Sequence, residues 1–166
     1  NITLIIALVS LLVGGISLWA NPKRLLNRGF FTLSVLVSGW LVLVFGAQKA
    51  GQLYSIDSTS NPIPWLRANN ALAAFFPWML WLLKGTVVST ENTLRLVYRS
   101  LPWFLVGLLI ASLCFSEQFI PNDSVPGNER HGPLYSAYFG LSGLLYLVLL
   151  VSAFHRIRKQ SGISKV

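Results

Sequence analysis

The 166 residues are 54% apolar and only 11% charged, with a mean hydropathy of +0.61. Soluble domains carry about 25% charged residues, so this composition excludes a water-soluble globule and requires an outer face that meets lipid. The net charge of +8 sits in small basic groups beside apolar runs, which is how membrane edges are anchored and not how nucleic acid is bound; no nucleic-acid partner is expected.

The first predicted span is Ile2 to Ala20, uncharged, with Thr3, Ser10 and Ser17 as its polar members. At about 1.5 Å per residue it just crosses a hydrocarbon core of roughly 30 Å. Ala7, Ser10, Gly14 and Ser17 fall on one stripe, and such a stripe lets a second helix approach closely. Asn21-Pro22 ends the helix. The second span is Phe30 to Ala47, with Ser34 and Ser38 one turn apart and Trp40 near its middle. Gln48 to Pro64, rich in Ser, Asn, Pro and Gly, reads as a loop.

Trp65 to Leu83 is the third span, entered through Pro62 and Pro64 and closed by Lys84. Arg67, Asn69 and Asn70 make it the least lipid-like of the set. Pro77 cannot donate to the carbonyl of Ala73 and predicts a bend. In the connector from Gly85 to Ser100, Thr90 and Asn92-Thr93 open a short interfacial helix carrying Leu94, Leu96 and Val97. The fourth span is Leu101 to Phe119, with Pro102 in its first turn and Glu117 in its last. Ile120 to Gly132 is a strongly turn-forming mixture. The fifth span runs from Pro133 to about Phe154, with Ser136, Gly140 and Gly143 as small residues and Tyr135, Tyr138 and Tyr146 as amphipathic rings. The expected fold is therefore all-α: one polytopic bundle of five antiparallel spans over residues 1–166.

Charge gives the expected orientation. The first connector (Lys23, Arg24, Arg28), the third (Lys84, Arg95, Arg99) and the tail (Arg156, Arg158, Lys159, Lys165) hold ten of the thirteen basic residues. In or beside the other two connectors lie Lys49, Arg67 and Arg130 and four of the five acids, Asp57, Glu117, Asp123 and Glu129. Basic loops stay cytoplasmic during insertion, so the N-terminus is expected outside and the C-terminus inside. The first residue is Asn1, directly followed by apolar chain, and the whole reads as a segment of a longer protein.

Catalytic chemistry is hard to build from these residues. His131 and His155 lie at opposite ends of the fifth span and cannot share a metal or haem. No phosphate loop, zinc spacing or nucleophile elbow occurs, and the lone Cys114 allows no internal disulfide. No catalytic residue, metal or cofactor is expected. The polar cluster on the third span admits two readings, because charged and amide groups in a span face protein or a water-filled cavity. Either Arg67 snorkels to the headgroups, or it stands beside Glu117, and with Asn70, Trp40, Tyr135 and Tyr138 forms an outward-facing ligand pocket. In either case Pro77 is a kink, and in the second it is a candidate hinge.

Several short motifs carry a family resemblance across nearly the whole chain. They are the basic turn Asn21-Pro22-Lys23-Arg24-Leu25-Leu26-Asn27-Arg28, the entry Phe30-Phe31, Trp40, Trp65-Leu66-Arg67 leading to Phe76-Pro77, Gly132-Pro133-Leu134-Tyr135, and the exit Arg156 to Gly162. With these the chain resembles the N-terminal seven-transmembrane region of bacterial membrane histidine kinases, of which it covers the first five helices. A similar module precedes diguanylate cyclases. The resemblance implies a sensory input module in the bacterial plasma membrane, dimerising and relaying a stimulus to a cytoplasmic kinase or other output domain. The family's last two spans and its kinase core fall outside these residues, and His155 lacks the acidic neighbour of a phosphoacceptor. A small transporter or an accessory subunit of a membrane complex is the competing expectation.

Overall fold

The structure is a computed structural model describing residues 1–57, 60–88, 93–124 and 130–163; the side chains of Asp57, Val87, Val88, Thr93 and residues 156–163 lie outside that description. Every regular element within it is an α-helix: α1 Ile2–Ala20, α2 Leu25–Asp57, α3 Ile63–Ala73, α4 Phe76–Val88, α5 Thr93–Leu113 and α6 Pro133–Ile163. Of these, α1, α2, α5 and α6 are long and apolar enough to cross a membrane. Their outward faces agree, for Leu12, Ile16, Leu109, Leu147 and Val151 are all exposed. Water does not tolerate apolar surface this continuous, so this is the surface of a membrane protein.

The first helix has the bounds its sequence predicts, and its small residues face α2. Ala7 and Gly14 are buried. Ser38 Oγ donates to the Ala7 carbonyl at 2.8 Å, and a Cβ on Gly14 would fall 2.5 Å from Ser34 Cβ. The basic turn between the two helices is held by its own amides. Asn21 Oδ1 accepts from the backbone N–H of Lys23 and Arg24, each at 3.2 Å. Asn27 Nδ2 donates to Ser17 O at 2.8 Å and Asn21 O at 3.2 Å.

Beyond that hairpin the structure corrects several expected boundaries. The second helix starts at Leu25 and continues to Asp57, so the loop expected from Gln48 is helical well past Ala47. Polar residues do not stop a helix that is already propagating; Lys49 Nζ bonds Gln52 Oε1 at 3.3 Å and Ser55 Oγ bonds back to Gln52 O at 2.7 Å. The third expected span is two helices. Phe75 N–H donates to Leu72 O at 3.2 Å, a tightened i−3 bond; buried Pro77 offers Ala73 O no donor. The expected bend is thus a break at Ala74–Phe75.

Leu94, Leu96 and Val97 do not form a separate interfacial helix; they are the first turns of α5. Pro102 is consequently inside that helix, not in its first turn. Leu96 is buried, and a Cβ on Gly85 of α4 would meet its Cδ1 at 2.4 Å. The expected starting residues Thr90 and Asn92 lie outside the described residues, as do Glu129 and Lys165. The expected fourth span, α5, ends at Leu113, short of Phe119, and α6 runs on past Phe154 to Ile163.

The core sits at one end of the bundle. Ile63, Ala71 and Ala74 from α3 and its break, Ile110, Ala111 and Cys114 from the end of α5, Phe119 and Ile120 from the segment after it, and Tyr138 of α6 form one buried cluster. The described residues between α5 and α6, 114–124 and 130–132, are therefore a packed cap. Gly132 N–H donates to Phe119 O at 3.0 Å and Leu134 N–H to Gln118 O at 3.2 Å. A Cβ on Gly132 would overlap the Gln118 carbonyl oxygen, 1.9 Å away; only glycine permits that crossing.

Candidate functional site

The six residues expected to form a pocket divide into two neighbouring groups. Arg67, Glu117 and Tyr135 belong to the cap. Arg67 Nη2 donates to the backbone carbonyl of Ile120, not to Glu117. Glu117 is exposed, past the end of α5, and accepts from Asn122 Nδ2. The anticipated Arg67–Glu117 neighbourhood gives way because the chain turns at Leu113, putting a carbonyl where a fourth-span carboxylate was expected. Tyr135 stacks on His131 with centroids 3.9 Å apart and 10° between planes, and leans on Phe119 at 5.2 Å. It is a packing ring of the cap.

Trp40, Asn70 and Tyr138 do come together, across three helices. With Asn69, Ala73, Phe139, Ser142, Gly143 and Tyr146 they line a cleft of about 430 Å³ between α2, α3 and α6. Local rules position each wall. Tyr138, Ser142 and Tyr146 repeat every four residues, and Phe139 and Gly143 do the same one position on, so all five lie along one side of α6. Asn69 and Asn70 occupy the last turn of α3 but one, and Trp40 meets Phe76 edge-on at 6.1 Å. Asn70 Nδ2 is spent on Leu66 O at 2.8 Å. Tyr138 Oη donates to Asn70 O at 2.9 Å; the same carbonyl takes the Ala74 N–H at 3.1 Å. The tyrosine thus pins α6 to the last regular turn before the break.

Three buried polar atoms find no hydrogen-bond partner among the described residues: Arg67 Nε, Asn69 Oδ1 and Trp78 Nε1. All three belong to the broken pair α3 and α4. Away from lipid such groups face protein or a cavity, and Asn69 is the one of the three that lines the cleft. No group of three or more His, Cys, Asp or Glu able to hold a metal occurs among the described residues.

Phe139 and Ser142 escaped the sequence reading, although their four-residue spacing from Gly143 and from Tyr138 and Tyr146 placed them on the tyrosine side of α6. A further link that apolar patterning could not reveal is Lys84 of α4, whose Nζ donates to Ser152 Oγ of α6. The sequence presents Lys84 as the basic close of a span and part of the charge pattern that sets orientation.

Comparison with protein-family models, with curated proteins and with solved structures finds no match to this chain.

Proposed function

We propose that the chain is the signal-input module of a two-component sensor histidine kinase or a related signalling protein of the bacterial plasma membrane. In this reading it crosses the bilayer five times, with α3 and α4 together making the third crossing, the N-terminus outside and the C-terminus in the cytosol. A stimulus in the outer half shifts helix packing, and the last helix passes the shift to an output domain.

One observation carries the reading most of the way. The helix that forms one wall of the cleft, α6, has 31 residues without interruption, roughly 46 Å at about 1.5 Å each, against a hydrocarbon core of about 30 Å. A displacement of Tyr138 or Ser142 is therefore delivered along a rigid rod to the basic end of the chain. For a stimulus to act, it must stabilise one packing of that rod over another. The Pro77 break supplies a joint beside the cleft, and the Lys84–Ser152 bond couples the far half of the broken helix to the same rod.

The test uses the full-length signalling protein in cells. Asn70→Leu, in the cleft, and Arg67→Ala, under the cap, blunt stimulus-dependent output while membrane insertion is retained. Unchanged output in both removes the outer-half sensor. Side-selective labelling reaches Asp123 from outside and His155 only from the cytosol; labelling of both from one side would overturn the topology.

A small transporter is the second reading, favoured by the break at Ala74–Phe75 beside a polar cleft, since transporters bind substrate where discontinuous helices meet. Solute uptake by proteoliposomes holding the chain alone, abolished by Asn70→Leu, would favour it over signalling.

A further inference from the structure

We infer that the cleft between α2, α3 and α6 takes a neutral, planar ring bearing hydroxyl groups on an apolar tail, the chemistry of a membrane quinone in its reduced, quinol form. The inference rests on the membrane-sensor reading for its setting and names what that sensor would bind.

The lining residues disfavour a charged ligand. None of Trp40, Asn69, Asn70, Ala73, Tyr138, Phe139, Ser142, Gly143 and Tyr146 is charged at neutral pH. An ionised ligand would find no counter-charge there, and burying it unpaired is costly. Four of the walls are aromatic, spanning all the depth from Tyr138 to Tyr146, and flat rings stack on such walls. The polar groups are amides and hydroxyls, which recognise oxygen substituents by hydrogen bonds. Asn69 supplies the demand: its Oδ1 is an acceptor buried with no partner, so a ring hydroxyl, the donor that the reduced quinol form carries, recovers a hydrogen bond now missing. At about 430 Å³ the cleft lies within the usual range of about 300–1,000 Å³ for small-molecule sites.

Access follows from the exposed residues. Phe139, Gly143 and Tyr146 are lining residues and also exposed on α6, so in a bilayer the cleft opens sideways into lipid, the phase in which such a ligand dissolves. A Cβ built on Gly143 meets nothing within 4 Å. The glycine leaves an open floor that a ring can occupy.

The same opening gives a test, because Gly143 lines the cleft and a Cβ added there meets no protein atom within 4 Å. The chain is reconstituted in lipid nanodiscs and titrated anaerobically with decylubiquinol, the reduced quinone, read by saturable quenching of tryptophan fluorescence. Saturable binding is expected, weakened at least tenfold by Gly143→Leu and by Asn69→Leu, with far-UV circular dichroism and the unfolding midpoint unchanged in Gly143→Leu. Decanol, which has a tail and no ring, should not compete. No saturable quenching, parent-like binding in both variants, or competition by decanol equal to that of the quinol each overturns the inference. Failure here with output still blunted by Asn70→Leu would sink the ligand class and leave the sensor standing; quinol binding without any effect on output would do the reverse.

Discussion

Two helices carry the same small-residue signature and use it in opposite ways. On α1, Ala7 and Gly14 are buried against Ser34 and Ser38 of α2, close enough for a side-chain-to-carbonyl bond between the helices. On α6, Ser136, Gly140 and Gly143 are all exposed, and a Cβ at either glycine meets nothing within 4 Å. In lipid, where no hydrophobic force drives helices together, small residues permit close packing without demanding it. The stripe on α1 is a seam; the glycines of α6 leave space, part of which is the cleft.

That contrast can be broken by filling each side in turn. The largest effect is expected from Gly14→Leu, whose Cβ would collide with Ser34 Cβ at 2.5 Å. Forcing α1 away should cost about 1–3 kcal/mol, the usual range for overpacking, measured by reversible SDS unfolding in mixed micelles. A loss below about 0.5 kcal/mol would show that α1 is not seated as described. Ser38→Ala is the intermediate case. It removes the bond to Ala7 O and should cost about 0.6 kcal/mol, typical of an interhelical hydrogen bond in a membrane protein. The smallest effect belongs to Gly140→Leu, which fills open space and should leave the same midpoint within about 0.5 kcal/mol. A destabilisation as large as that of Gly14→Leu would mean that the α6 face is a seam after all, with a partner closing on it.

The cap and the cleft differ in how far they could be read in advance. Asn70 is legible because a polar group is expensive in lipid and must face something, and Trp40 and Tyr138 as candidate aromatic walls; the structure places all three around one cleft. Arg67, Glu117 and Tyr135 carry the same pocket expectation and lie in the cap instead. Their separation depends on α5 stopping at Leu113; the polar stretch Ser116-Glu117-Gln118 is a local hint of an ending, but one that a last helical turn at the membrane edge would carry equally. Phe119 and Ile120 look like the frayed end of a span, yet both are core residues. Burial of such a segment is decided by Ile63, Tyr138 and Gly132, partners distant in sequence.

Composition, apolar run lengths and the prolines by themselves determined that this is an all-helical membrane protein, where α1 begins and ends, and that the third span would not be straight. These are properties of a segment and its solvent: lipid forces each crossing backbone to satisfy its own hydrogen bonds, and Pro77 removes one donor wherever it is placed. Only the tertiary structure decided that the bend is a break, that α2 and α6 continue past their apolar stretches, which small-residue stripe is buried, and which polar residues share a cleft. Those outcomes turn on contacts such as Tyr138 with Asn70 and Lys84 with Ser152, each between helices far apart along the chain, and no local period encodes them.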